Sequence, residues 1–401
     1  MTVKQIYELM NTVTGEVLGK TGLVAEDLSN VVDVGTEVFN ATAVDNYVKT
    51  LVNHIGKVIF VNRPYSGKIP SVLMDSWEFG SVLEKISCDT PTAEENESWD
   101  LVDGQEYKQD IFYKPTVSAK FFNSKVTFEV PMSFTEKQVK ESFSNAAQLN
   151  GFISMIYNAV DRSMTIKIDG LVMRTINSMI AQTLNADKTA FAGGYGTAST
   201  ARCVNLLKLY NDKFFPATGT TANPDALTAD KAIYDPDFIR FASYTMGVYV
   251  DRLASISTLF NVGGKDRFTD ANNLHVIMLS DFAKGADVYL QSDVRHNEMT
   301  RLPNYETVPY WQGSGQNYEF DSTSAINVKI DASTTVDIDG IVGVMFDRDA
   351  LGVSNLDRRV TTAYNAKAEF FNNYYKFDAG YFNDTNENFV VFFVSDAKTG
   401  S

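Results

Sequence analysis

Cysteine is almost missing from this sequence. Cys88 and Cys203 are the two present, with no paired spacing between or around them. That excludes a disulfide framework and a cysteine-based zinc site. Both are read as free thiols of a chain made in a reducing cytoplasm. Histidine is nearly as scarce: His54, His275 and His296 have no partner at metal-ligand spacing. His54 sits in an apolar helical stretch before Gly56 and His275 inside an apolar run, so each is expected to be a hydrogen-bonded structural histidine. No apolar run approaches the ~18 residues that a membrane span needs. The N-terminus lacks the apolar core and cleavage site of a signal peptide. Positive charge is in deficit, with 35 Lys and Arg against 50 Asp and Glu and a formal net charge of -15. Such a surface repels phosphates, which excludes nucleic-acid gripping as the main activity. It also keeps a concentrated protein soluble.

Motifs of catalysis are missing too. There is no G-x-S-x-G elbow. SGK at 66–68 lacks the upstream glycine and the following Ser or Thr of a P-loop, and GGYG at 193–196 lacks a preceding strand. Asp337, Asp339 and Gly340 resemble part of a calcium loop, but the strand-like IVGVMF follows and no closing glutamate is in place. Asp347, Arg348 and Asp349 are expected to form a turn with a surface ion pair. Arg358 and Arg359 are too few for a nucleic-acid patch. No catalytic, cofactor-binding or metal residue is nominated, and no cofactor is expected. The chain is not read as an enzyme.

What is present is apolar and aromatic material, 44% and 12% of the residues, enough for a sizeable core. Ile6, Leu9 and Met10 predict a first helix. Val44, Tyr47, Val48, Leu51, Val52 and Ile55 predict a second, stopped by Gly56 and followed by a strand at 57–61. Residues 62–131 carry five prolines and little helical pattern. Between Lys85 and Lys108 lies a tract of seven carboxylates with no base, read as a solvated loop. Alternation at Val117, Ala119 and Phe121, then at Val126, Phe128 and Val130, predicts a long β-hairpin ending at Pro131. Ser133 and Glu136 have capping-box spacing.

From Ala147 to Leu184 apolar residues recur at steps of three or four, starting Leu149, Phe152, Ile153, Ile156 and ending Met179, Ile180, Leu184. That is one helix on the order of 55 Å long. Gly170 lies inside it and is the place where a bend is allowed. Asp235 and Pro236 predict an N-cap and first turn. LHVIML (274–279) and GIVGVMF (340–346) predict buried strands, and Ser280 and Asp281 open another helix. Residues 364–394 hold eleven aromatics and predict two long antiparallel strands around the polar run NDTNEN.

The order of a β-rich loop, a very long helix, a mixed region and returning aromatic strands resembles the Hong Kong 97-like coat fold of tailed phages. DNYVKTLVNHIGKVIF (45–60), NGFISMIYNAVDRSMTIKIDGLVMRTI (150–176), LHVIMLSDFAKGADV (274–288), VGVMFDRDALGV and FFNNYYKFDAGYF (342–382) are similar to the major capsid proteins of phi-twenty-nine-like podoviruses. The resemblance implies an α+β fold. It implies an N-terminal arm (1–56), an extended loop (57–131), a peripheral domain with the spine helix (132–190), an axial domain (191–349) and peripheral return strands (350–401). No immunoglobulin-like domain is expected after the closing strand, and no isopeptide crosslink is expected at Lys108.

The implied function is a virion protein that assembles with itself into hexamers and pentamers. These would tile an icosahedral or prolate head shell around double-stranded DNA held without specific binding. Scaffolding, portal and decoration proteins are implied partners, the host bacterial cytoplasm is the implied assembly site, and no membrane is involved. An encapsulin-type compartment shell is the alternative on the same fold. An acidic hydrolase or binding module, its carboxylates hidden among fifty acidic residues, is the alternative of another class.

Overall fold

The computed structural model of the chain describes residues 3–19, 24–40, 46–47, 50–51, 69–74, 83–89, 91, 93–107, 110–191, 194, 197–217, 223–291, 305–313 and 319–396. Its helices in chain order are α1 (Val3–Leu18), α2 (Val31–Asn40), α3 (Glu136–Ser142), α4 (Ala146–Ala186), α5 (Leu206–Phe214), α6 (Ala229–Ala232), α7 (Pro236–Ala254), α8 (Ser280–Gln291) and α9 (Phe320–Thr323). Its strands are β1 (Leu73–Met74), β2 (Leu83–Cys88), β3 (Val117–Phe122), β4 (Lys125–Thr135), β5 (Cys203–Asn205), β6 (Leu274–Leu279), β7 (Glu306–Val308), β8 (Ile326–Lys329), β9 (Thr335–Ile338), β10 (Ile341–Asp347), β11 (Leu351–Asn365), β12 (Phe370–Asn383) and β13 (Phe389–Phe393). The residues divide into two compact units. One comprises Met1–Phe79, Lys125–Val172 and Val353–Gly380; the other Gly80–Ser124, Met173–Gly352 and Tyr381–Ser401.

The first unit holds a four-stranded sheet in the order β1-β11-β12-β4. From Phe370 to Ala379 strand β12 alternates between half-buried and buried residues, with Phe371, Asn373, Tyr375, Phe377 and Ala379 inward. That is the period-2 signature of a sheet with one covered face. It pairs antiparallel with β4 from Phe370↔Thr135 to Gly380↔Lys125. Contacts Tyr364–Phe371, Thr362–Asn373 and Arg359–Asp378 run in opposite order along β11 and β12, as in a hairpin. Phe134 of β4 packs edge-on to Phe152 of α4, with ring centroids 5.4 Å apart. In the N-terminal segment α1 buries Ile6, Leu9, Met10 and Val13. Tyr47 packs on Phe143 at 6.1 Å and its hydroxyl lies 3.4 Å from Thr14 Oγ1. Burial pushes the Tyr47 phenol up to about 12, against a smaller opposing effect of that hydrogen bond.

The second unit is built on a five-stranded sheet, β5-β13-β10-β6-β7. Here alternation disappears. All five residues of β13 and six of seven in β10 are buried, which requires cover on both faces. One cover is α5, α7 and α8, whose Leu207, Phe238, Ile239, Met246 and Phe282 join Val276, Met278, Val390 and Phe392 in one cluster. Asp235 caps α7 by accepting from the Phe238 N–H at 2.8 Å, with Pro236 in the first turn. Gly340 turns into β10 at φ +80° and a Cβ there would collide with the Val394 carbonyl. Trp311 is fully buried; its indole donates to the Ile341 carbonyl at 2.8 Å.

Helix α4 runs 41 residues without interruption through Gly170, about 60 Å at ~1.5 Å per residue. Its first part buries one stripe: Leu149, Ile153, Ile156, Val160, Met164 and Ile168. From Leu171 to Leu184 it is buried on most sides, including the polar Thr175, Asn177 and Thr183. Asn177 donates its side-chain amide to the Trp311 carbonyl at 2.7 Å, and Thr183 Oγ1 to the Met179 carbonyl at 2.9 Å.

Several expectations are corrected. Strands β3 and β4 do not form a hairpin with each other. β3 pairs with β2 (Leu83↔Phe122 to Cys88↔Val117) and β4 with β12. The two strands of the aromatic tail likewise belong to different sheets, β12 to the first and β13 to the second. The capping box belongs to Thr135 and Gln138, not Ser133 and Glu136, because β4 continues to Thr135 against Phe370. Helix α2 was not predicted, although Val31, Val34 and Val38 recur at helical spacing and are buried; its Gly35 lies against Phe143, where a Cβ would meet the Phe143 Cβ at 2.6 Å and the ring at 2.8 Å. The helix expected after Thr42 is described at 46–47 and 50–51, where it is helical. The strand expected at 57–61 lies outside the described residues. No helix among the described residues is long and apolar enough to cross a membrane.

Candidate assembly surface

From Ala93 to Ala119 every described residue of assigned exposure is exposed. This segment connects and includes part of the β2–β3 ladder, and it holds the acidic tract. Glu94, Glu95, Asp100, Asp103 and Glu106 all face solvent. Apolar groups face solvent beside them. Trp99 is 94% exposed, Phe112 86%, Tyr113 74% and Leu101 65%. Ten of the twenty large apolar residues exposed among the described residues lie between Ile86 and Phe121. Scattered single exposures need no explanation, but a concentrated run of this kind marks an interaction surface.

The root of this extended loop is held by charge. Lys85 of β2 and Lys120 of β3 are directly opposed across the ladder. Like charges in that position destabilise a sheet. Asp384, in the turn before β13, lies against both: its Oδ2 is 3.1 Å from Lys85 Nζ and its Oδ1 2.9 Å from Lys120 Nζ. Glu387 in the same turn takes Lys85 at 2.7 Å and Arg267 Nε at 3.1 Å. Lys265 and Asp89 add a further pair at 2.6 Å. Phe122 packs on Phe382 with centroids 5.0 Å apart.

Burial works to raise the Asp384 carboxyl. The Lys120 hydrogen bond, the Asn386 N–H and the two lysine charges outweigh it and hold the carboxyl below the usual range. Burial also disfavours the Lys85 charge, yet Glu387 and Asp384 hold its pKa above the ordinary value. Sequence reading missed this root. The signal available was two acids, Asp384 and Glu387, inside the polar NDTNEN run between buried strands.

The groups weighed earlier for chemistry are not brought together. His54, His296, Lys108 and the SGK run lie outside the described residues. His275 packs at a tilt against Phe346 with ring centroids 5.7 Å apart, but its Nε2 has no hydrogen-bond partner among the described residues, contrary to expectation. Burial lowers its pKa, so the ring rests neutral and tolerates the bare nitrogen better than an imidazolium would. Asp347 does not pair with Arg348. It accepts from Thr269 Oγ1 at 2.7 Å and from the Asp349 N–H at 2.9 Å, as a turn-former. Arg359 pairs instead with Asp378 across the hairpin at 2.8 Å. Cys88 is exposed on the loop root and Cys203 is buried in β5; both are free. Among the described residues no group of three His, Cys, Asp or Glu is placed to hold a metal.

A solvent-facing extended loop, a 41-residue helix, a mixed α/β unit and aromatic strands returning to both sheets define the Hong Kong 97-like class of phage head-shell coat proteins. The chain matches the model of one family in this class, the Phi29-like phage major capsid protein, over residues 10–393. It belongs to that family, and its role is that of a structural protein of the capsid shell.

Solved structures similar in fold include the capsid of Staphylococcus phage Andhra, at TM-score 0.50 and 8% identity, covering 83% of this chain and 86% of that one. A chain from a structure of the head fiber and inner core protein gp22 of bacteriophage P68 has TM-score 0.49 and 8% identity over the same shares. The capsid of cyanophage P-SCSP1u gives 0.45 and 9%, covering 82% and 87%. At such identity the first of these is a likeness of fold alone. No curated protein matches the chain.

Proposed function

We propose that the chain builds its shell as hexamers and pentamers of itself, closing an icosahedral or prolate head around double-stranded DNA. Its work is structural and not enzymatic. The observation that carries this reading is the extended loop, whose concentrated apolar groups find no cover among the described residues of their own chain. In a closed shell each such surface meets a different surface of the next copy, and the contacts close by rotation.

The loop of residues 62–131 lies, in this reading, over the spine helix of the neighbouring copy. The first part of α4 turns an exposed face outward at three- and four-residue steps, Gly151, Met155, Ala159, Arg162, Ile166 and Gly170. Met155 is 55% and Ile166 68% exposed. Arg162 and Lys167 on this exposed side complement the acidic tract of the loop. Residues 1–56 lie along the inner face as the N-terminal arm. Residues 132–190 and 350–401 form the peripheral domain, and residues 191–349 the axial domain at the capsomer centre. The net charge of -15 contains DNA without gripping it. Scaffolding, portal and decoration proteins complete the set of partners, and assembly takes place in the host bacterial cytoplasm.

Size-exclusion chromatography with negative-stain microscopy tests the reading. The full chain is expected to yield capsomers or shells. A chain in which residues 89–116 are replaced by a short turn is expected to fold and remain unassembled. Normal shells from the shortened chain would remove the loop from assembly, and a strictly monomeric full chain under all conditions would sink the reading as a whole.

A further inference from the structure

The Lys85–Lys120 pair poses a physical problem with one visible solution. Two ammonium groups directly opposed on a two-stranded ladder repel each other. The β2–β3 ladder is small, and an isolated pair of strands is marginal in water even without that repulsion. Outward of it the loop is exposed and gives no packing. Glu387 neutralises Lys85 alone, whereas Asp384 reaches both lysines and sits where it can cancel the repulsion between them.

We propose that Asp384 is the positioning residue of the extended loop: its carboxylate, one oxygen to each lysine, pins the loop root to the turn before β13 and fixes the point from which the loop is presented to a neighbouring copy. Asp384 is suited to this. It is 2% exposed while the lysines keep 24% and 38% of their side-chain surface, so the anion is the fixed partner and the lysines come to it. Its own backbone is tied down, with the Asp384 N–H donating to the Ala350 carbonyl at 2.7 Å and Oδ1 accepting from the Asn386 N–H at 3.1 Å. Glu387 holds the second side of the root through Lys85 and is itself braced by Arg267. The Lys85 ammonium also donates to the Asp349 carbonyl at 3.3 Å. The pin thus joins both loop strands to the short connections that flank the central strands of the second unit. The consequence for assembly rests on the reading of the loop as the assembly surface.

Hydrogen exchange on the full chain, read at residues 83–88 and 117–122, tests the pin. Asp384→Asn keeps the turn hydrogen bond and removes the charge. It is expected to speed exchange at the root about tenfold or more, the factor that corresponds to losing ~1.4 kcal/mol locally, while exchange in β10 and β13 stays as it was. Adding Lys120→Met to Asp384→Asn removes the repulsion and is expected to restore protection. A purely structural role of the Asp384 side chain would not allow that rescue. Unchanged root protection in Asp384→Asn, or no recovery in the double variant, overturns the proposal.

Shell formation separates the two readings. Loss of shells in Asp384→Asn with recovery in the double variant supports both. Root protection that falls and recovers while shells form normally throughout supports the pin and overturns the loop as assembly surface.

Discussion

The extended loop and the five-stranded sheet of the second unit are built from the same kinds of residue and treat them in opposite ways. In β13 the run Phe389–Phe393 is buried at every position, because helices and strands of its own chain cover both faces. Between Ile86 and Phe121 tryptophan, phenylalanine, tyrosine and leucine stand in solvent. Composition therefore does not distinguish a core from an interface; the location of the covering surface does. The sheet is finished within one chain. On the reading proposed above the loop is finished by another, which would make the subunit stable enough to wait and incomplete enough to bind.

The sharpest way to break the finished side is to open its core. Phe392 is fully buried and meets Tyr249 edge-on with centroids 5.2 Å apart. Phe392→Ala is expected to cost about 3–5 kcal/mol through lost transfer energy and the cavity left behind. The denaturant midpoint of the unassembled chain reads this, and a shift below about 1 kcal/mol would mean that the site collapses or was never tightly packed.

A smaller effect distinguishes the first unit. Tyr47 is pushed up to about 12 by burial, against about 10 in an unfolded chain. The folded value is raised, so the stability it reports is fully present below pH ~10 and is lost as pH climbs through the interval to about 12. The slope is ~1.4 kcal/mol per unit, or about 2–3 kcal/mol across the window. Tyr375 is pushed up by burial as well and contributes in the same direction. Tyr47→Phe should flatten the alkaline decline without abolishing it, as measured by denaturation from pH 9 to roughly 12. An unchanged slope would place Tyr47 in water.

The contrast between the regions also explains what was legible in the sequence. Helix α4 was readable because one buried stripe at three- and four-residue steps needs no knowledge of its partner. β6, β10 and the cap of α7 were readable for the same local reason: unbroken apolar runs and an Asp-Pro pair each declare themselves. Strand partners were not. Period 2 tells which residues share a face but not which strand lies alongside. β3 and β4 are neighbours in sequence, separated by Asn123 and Ser124, yet pair with strands far away. Helix α2 was missed although its stripe of Val31, Val34 and Val38 was present in the sequence; Val31, Val32 and Gly35 are weak helix formers, and the close fit of Gly35 against Phe143 is a long-range feature that propensity does not show. The loop root was least legible of all, since the Lys85, Lys120 and Asp384 cluster exists only after three separate segments meet.

The smallest expected change in stability carries the largest consequence for the shell. Trp99 and Phe112 are 94% and 86% exposed and stand among exposed neighbours. Replacing both with serine removes almost no contact within the chain, so folding stability should move by no more than about 0.5 kcal/mol. If the loop is covered by a neighbouring copy, the same two residues become buried aromatic anchors on assembly, the type that dominates binding energy and costs ~2 kcal/mol or more each when truncated. Repeated around a closed shell, that loss falls on every subunit contact of the kind. The double variant is therefore expected to denature like the unchanged chain while its assembly concentration rises at least tenfold, followed by light scattering. Equal assembly would leave these aromatics without a partner. A large fall in stability would show that the chain covers them itself, and would erase the difference between loop and sheet from which the prediction comes.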